Sequence, residues 1–216
     1  MDLSSKRPAG LSKQAILRLP NYLQHLRKIK SQGITVASAS VVAASLHLNE
    51  VQVRKDLAAV SSVPGKPKLG FSVDLLIQDL EEFLGYNNVD DALLVGCGSL
   101  GTALLNYKGF EAIGLNIVAA FDADEEKCGI LLGGKQILPM EKLQPLCRRL
   151  NIHIGIITTP AEAAQKIADD MVECGILAIW NFAPVRIVLP KDILVQNENM
   201  AASLALLSKH LKEKLG

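Results

Sequence analysis

The chain has 216 residues, of which 49% are apolar, 4% aromatic and 21% charged, with a formal net charge of +1. This balance excludes a disordered chain, and the length suffices for one large domain or two small ones. Residues 1–70 carry eleven Lys/Arg against three acids and the remainder twelve against nineteen, so a basic module facing a polyanion is expected ahead of an acidic one.

In chain order, Ile16, Leu19, Leu23, Leu26 and Ile29 recur at three- and four-residue steps and predict an amphipathic helix over Ser12–Ser31. Pro20 inside that run either kinks it or starts its second part, and Gly33 ends it. Ser38 is placed to cap a short helix carrying Val41, Val42, Ala44 and Leu46. After a tight turn at 47–49, Asn49 can cap a second helix with Gln52 as its reciprocal partner. That helix bears Val51, Val53, Leu57 and Val60 with Gln52, Arg54, Lys55 and Asp56 between them. Two short helices joined by a turn, with donors gathered on the second, describe a helix-turn-helix. The Gly/Pro/Ser-rich stretch Ser61–Val73 follows, and its Lys66 and Lys68 read as the phosphate-facing tip of a β-wing; a plain basic linker is the alternative.

Asp91–Val95 predicts a buried strand, followed at once by Gly96-Cys97-Gly98-Ser99-Leu100-Gly101, a helix-prone segment Thr102–Tyr107, and a second strand Asn116–Phe121 ending on Asp122. In this order the glycine pattern signals a dinucleotide-binding βαβ unit. Gly96 allows the tight turn, Gly98 the approach of pyrophosphate and Gly101 close helix–strand packing, while the helix N-terminus faces the phosphates. Asp122 would accept from the adenosine ribose. No Lys or Arg follows it before Lys127, and Asp124, Glu125 and Glu126 intervene, so NAD(H) is expected over NADP(H).

His153–Thr158 predicts a further strand, turning at Thr159-Pro160 into a helix Ala161–Cys174. Ala178–Trp180 predicts another, leaving into Asn181-Phe182-Ala183-Pro184. Strand ends in a doubly wound sheet form the ligand crevice, which would place 96–101, Asp122, Thr158–Pro160 and Asn181–Pro184 around one cofactor. A last helix, Asn199–Leu215, repeats Leu204, Leu207 and Leu211 and either packs on its own domain or extends to a partner subunit.

Three segments follow: 1–84 as a winged-helix DNA-binding domain with a connecting helix, 85–198 as a Rossmann domain, and 199–216 as a dimerisation helix. The fold class is α/β. Cys97, Cys128, Cys147 and Cys174 show no metal-ligand spacing, so reduced thiols, a cytoplasmic location and no metal are expected. The longest uncharged stretches, such as Ala92–Tyr107, are interrupted by Gly and polar residues, and no apolar run follows the charged 1–7, so neither a membrane span nor a secretory signal is expected.

The assembled residues resemble the Rex family of bacterial redox-sensing transcriptional repressors. The matching stretches are Leu19-Pro20…Tyr22-Leu23, Val51-Gln52-Val53-Arg54-Lys55-Asp56-Leu57, the glycine loop, Leu105…Tyr107…Gly109-Phe110, Ala119–Asp122, Pro160…Ala163-Ala164-Gln165 and Asn181–Val185. The resemblance implies a homodimer with exchanged C-terminal helices that binds operator DNA when NAD⁺ dominates and leaves it with NADH. It also implies that Tyr107 couples cofactor state to domain arrangement. Three features depart from the pattern: the segment 58–68 lacks the usual aromatic-glycine run and Arg-Gly turn, Gln24 replaces an arginine, and Asn199-Met200 replaces an aspartate and a large apolar residue. A weakly sensing or constitutive DNA binder is therefore one alternative. An NAD-dependent oxidoreductase is the other, although no Tyr-x-x-x-Lys pair or placed histidine supplies its acid/base chemistry.

Overall fold

The computed structural model describes residues 11–66, 69–87 and 90–216, and Lys68 lies outside the described residues. The chain divides into two compact units, 1–88 and 89–216, with the C-terminal helix inside the second.

In the first unit α1 spans Lys13–Ser31, with Ser12 Oγ accepting from Ala15 N at its start. It runs unbroken through Pro20, so no second helix begins there. Its buried stripe is Ala15, Leu19, Tyr22, Leu23, Leu26 and Ile29, while Ile16, expected on that face, is turned outward. Strand β1 (Val36–Ala37) leads into α2 (Ala39–Leu46), capped by Ser38 Oγ through Val41 N. His47, left-handed at φ 53°, reverses the chain into α3 (Glu50–Val60), whose first turn Asn49 Oδ1 caps by accepting from Gln52 N at 3.2 Å. The exposed valines Val41 and Val51 leave Val42, Val53 and Leu57 to carry the core.

The expected wing is short. Lys66 and Gly70 form one antiparallel bridge, and β2 (Phe71–Ser72) then pairs with β1 rather than with a strand of its own hairpin. Gly70 sits at φ +96° with its α-carbon against Ala37, where a Cβ would lie 2.4 Å from the Ala37 carbonyl oxygen. A side chain there would push the turn off β1. Helix α4 (Val73–Phe83) buries Val73, Leu76, Ile77 and Leu80, and ion pairs Arg27–Glu81 (2.8 Å) and Lys30–Asp74 (2.7 Å) fasten it to α1.

The second unit is a seven-stranded sheet: β3 (Asp90–Val95), β4 (Leu115–Asp122), β5 (Leu131–Leu132), β6 (Lys135–Pro139), β7 (Ile154–Ile157), β8 (Ala178–Asn181) and β9 (Leu194–Asn197), in the order β5-β6-β4-β3-β7-β8-β9. Apart from antiparallel β5, neighbouring strands are parallel. Successive residues of β3 bury opposite faces, Leu93 and Val95 on one and Ala92 and Leu94 on the other. Where both faces of a parallel sheet are covered the strand is apolar without alternation, as Ala92–Val95 of β3 and Ile154–Ile157 of β7 show. Helices α6 (Leu143–Leu150) and α7 (Ala161–Glu173) join Leu93 and Val95 in one core, while α5 (Ser99–Leu105) and the 3₁₀ turn at 108–113 contribute to the other. The helix expected at 102–107 starts three residues earlier and stops short of Tyr107, because Gly98 and Ser99 already turn into it. Helix α8 (Met200–Leu215) follows β9 with Asn199 as its N-cap.

Among the described residues no helix is long and apolar enough to cross a membrane, and no group of three or more His, Cys, Asp or Glu could hold a metal.

Candidate functional site

Each unit presents one candidate surface. In the first, a groove of about 760 Å³ is walled by the start of α2 (Ser38–Ser40), by Arg54 and Ala58 of α3, and by 61–66 with Gly70 and Phe71. Ser38, Arg54 and Lys66 therefore line one concavity. Their side chains are differently committed. Ser38 Oγ caps α2 and lies 2.8 Å from Ser40 Oγ; Arg54 pairs with Glu50 one turn earlier on α3; Lys55 is exposed with no ion pair among the described residues.

Gln52 departs from expectation. Its side chain does not complete a capping box; with its oxygen turned toward α1 it accepts from Arg18 Nη1 and Nη2 at 3.1 and 3.0 Å. Arg18 is the centre of a network that periodicity does not reveal. Its Nε and Nη2 donate to the two oxygens of Asp56 at 2.9 and 3.1 Å, and Tyr22 OH donates to Asp56 Oδ2 at 2.8 Å. Asp56 is only 5% exposed, so Asp56 serves α1 and not Arg54. Burial, followed by the hydrogen bond to Asp56, pushes the Tyr22 phenol up to about 12, so it remains a donor. The bidentate pair fixes the rotation of α3 against α1 and thereby which face α3 presents.

In the second unit the sheet order is that of the doubly wound dinucleotide folds, which reverses between β3 and β7. At that switch point the two following loops touch. Thr158 N donates to Val95 O at 2.9 Å and Thr158 Oγ1 to Gly96 O at 2.6 Å. Gly96 has φ +102°, and a Cβ there would stand 2.8 Å from the Thr158 carbonyl carbon. Gly101 is tighter: its Cβ would reach Gly96 O at 1.9 Å, so this glycine lets α5 pack on the loop itself, not on a strand. A Cβ at Gly98, in contrast, meets nothing within 4 Å. No carbonyl of the described residues accepts from the amides of Gly98, Ser99 or Leu100. Thr159 Oγ1 is buried without a partner, beside Pro160 at the start of α7. Open space at one glycine, free amides and an orphaned hydroxyl form a cradle that fits a phosphate-bearing ligand.

Asp122 ends β4 as expected, but its carboxylate is already engaged. Oδ2 accepts from Cys97 N at 2.7 Å and from Lys127 Nζ at 3.3 Å, and Oδ1 from Asp124 N at 2.9 Å. Burial acts upward on its pKa, but these donors outweigh it and hold the group below the usual carboxylate value. Lys127, five residues on, thus returns past the intervening acids to pair with Asp122 and Asp124, so a cation sits on the carboxylate. Burial pushes the Cys97 thiol up to about 11, so it is a neutral packing group.

The turn after β8 is built by Asn181, which is fully buried. Its Nδ2 donates to Val185 O (2.7 Å) and Asn197 Oδ1 (2.9 Å), and its Oδ1 accepts from Ala183 N (3.0 Å). Asn181 therefore shapes the Phe182-Ala183-Pro184 turn, with both of its amide N–H groups engaged within the chain. Gln165 likewise clamps Val188 by donating to its O and accepting from its N. Tyr107, 60% exposed, stands edge-on to Phe110 (4.9 Å), and Phe110 in turn to Trp180 (5.8 Å), which lies 4.6 Å from Phe182. Gly109 makes room for this ring, since a Cβ would fall 2.4 Å from it.

A winged-helix unit followed by a dinucleotide-type Rossmann unit defines the class: a DNA-binding regulator with a built-in ligand domain. Comparison with known proteins agrees. A family model described as "Putative DNA-binding protein N-terminus" matches residues 10–58, and one described as "CoA binding domain" matches 87–185. The redox-sensing transcriptional repressors Rex of Treponema denticola and Bacteroides fragilis are each 39% identical over 209 residues, covering 97% of this chain and 98% and 94% of theirs. Two crystal structures of RSP, a Rex-family repressor, are also similar. The complex with β-NAD⁺ and operator DNA has a TM-score of 0.89 at 30% identity over 95% of this chain and 94% of that one. The complex with β-NADH has 0.83 at 29% over 94% and 95%. The chain belongs to the Rex family of redox-sensing transcriptional repressors.

Proposed function

We propose that this chain represses transcription in response to the cellular NADH/NAD⁺ state and catalyses no turnover of its own. The observation that carries the reading is the pairing, in one chain, of a basic groove beside α3 with a glycine-loop crevice at the switch point, in a family whose RSP member was crystallised with NAD⁺ and operator DNA. In this reading Gln52, Arg54 and Lys55 present α3 to the major groove, and Ser38, Lys66 and Lys68 meet phosphate. Gly96–Gly101, Asp122 with Lys127, and Thr158–Pro160 hold NAD(H), with Asn181 shaping the Phe182–Pro184 rim and Tyr107 exposed beyond it. The cofactor supplies a nicotinamide whose charge changes on reduction; the chain supplies its binding and reads that charge.

Helix α8 has no buried residue, and Met200, Leu204, Leu207 and Leu211 are all exposed, which supports its packing on a second copy in a cytoplasmic homodimer. One observation favours a weaker sensor: Asn199 spends its amide oxygen on capping α8 through Ala202 N (2.8 Å) and brings no charge. The test is binding of NADH and of duplex DNA to one preparation, with NADH oxidation by aldehydes assayed alongside. Binding of both without turnover is expected; turnover, or binding of neither, contradicts the reading.

A further inference from the structure

NAD⁺ and NADH differ by one positive charge on the nicotinamide, so a site that tells them apart needs a charge that senses it. The adenosine half of such a cofactor belongs at the end of β4, with Asp122, which leaves the ends of β7, β8 and β9 for the other half. The segments following those strands are 158–160, 181–186 and 197–199, and among their residues Glu198 is the one carboxylate. Glu198 lines a pocket of about 250 Å³ with Ala183, Pro184, Arg186 and Asn199. No cation lies within ion-pair distance of it among the described residues, Arg186 included, so its charge is not cancelled locally. Trp180 Nε1 donates to Glu198 Oε1 at 2.9 Å and Gln196 Nε2 at 3.3 Å, which hold the carboxylate in place.

We propose that Glu198 is the residue that discriminates the oxidised from the reduced cofactor, its carboxylate favouring the nicotinamide cation of NAD⁺. The inference rests on the dinucleotide reading above and names the charge that reading leaves unassigned. Trp180, the only tryptophan of the chain, rests on Glu198 and provides a fluorescence reporter.

The experiment titrates NAD⁺ and NADH separately into the full-length protein, following Trp180 fluorescence and heat of binding, for wild type, Glu198→Gln and Glu198→Asp. Gln keeps the acceptor for the indole and removes only the charge. The expected result is that Glu198→Gln loses about tenfold in its NAD⁺:NADH affinity ratio, equivalent to about 1.4 kcal/mol, while Glu198→Asp retains most of the wild-type ratio. An unchanged ratio in Glu198→Gln, or equal loss of both cofactors, overturns the assignment while leaving the dinucleotide reading intact. Binding of neither cofactor by wild type would remove both.

Discussion

Two glycines of one motif, Gly98 and Gly101, have opposite surroundings. A side chain at Gly98 meets no protein atom within 4 Å, whereas one at Gly101 collides with Gly96 O. Gly98→Val should therefore fold with nearly wild-type stability yet lose dinucleotide binding, and Gly101→Ala should lose about 1–3 kcal/mol of stability through overpacking. Thermal unfolding beside calorimetric titration separates them; a Gly98→Val protein that binds NADH normally would show that the loop does not cradle it. Asp56 gives the second residue-level test. Asp56→Ala leaves Arg18 without its bidentate acceptor in a nearly closed site, at a cost of about 3–5 kcal/mol. Urea unfolding followed by far-UV circular dichroism measures it, and a loss under about 1 kcal/mol would show that the pair is effectively solvated. The motif residues 96–101, Asp122 and 181–184 were legible because strand, glycine loop and strand end recur at fixed spacing. Their partners were not. Lys127 over Asp122, Arg18 over Asp56 and Thr158 over Gly96 are contacts across 5 to 62 positions of chain, which periodicity does not encode.

At the scale of elements, hydrophobic period located α1, β3, β4, β7, α7, β8 and α8 to within a few residues. It missed β6, which is five residues ending in proline, α6, which contains Pro145, and the edge strand β9, whose four residues are two apolar followed by two polar and so show no period. The expected β-wing shrank because Gly70 docks on Ala37 and commits β2 to β1. Lys66 remains on the groove rim. Lys66→Ala should weaken every duplex about equally and lower the slope of log affinity against log salt by about one unit; a changed sequence preference would place Lys66 at a base edge. Helix α8 makes the other element-scale prediction. Charged substitutions at Leu204, Leu207 and Leu211 should shift sedimentation from dimer to monomer while the second unit stays folded, since none of the three is buried within the chain. An unaltered mass would contradict α8 as the dimer contact.

For the whole molecule, function requires that the cofactor's charge alter the hold on DNA. A ligand indifferent to the two states shifts nothing, and a tenfold change in affinity requires about 1.4 kcal/mol of coupling. This chain carries neutral Gln24 and Asn199, so the Glu198 carboxylate, together with neutral hydrogen bonds of about 0.5–1.5 kcal/mol each, must supply that coupling. The decisive measurement takes duplexes selected from a randomised pool by the NAD⁺-loaded protein and titrates them, at one salt concentration, with the protein saturated in NAD⁺ or in NADH. Weaker binding with NADH, by about tenfold or less, is the predicted result; equal affinity in the two cofactors, or tighter binding with NADH, would contradict the account.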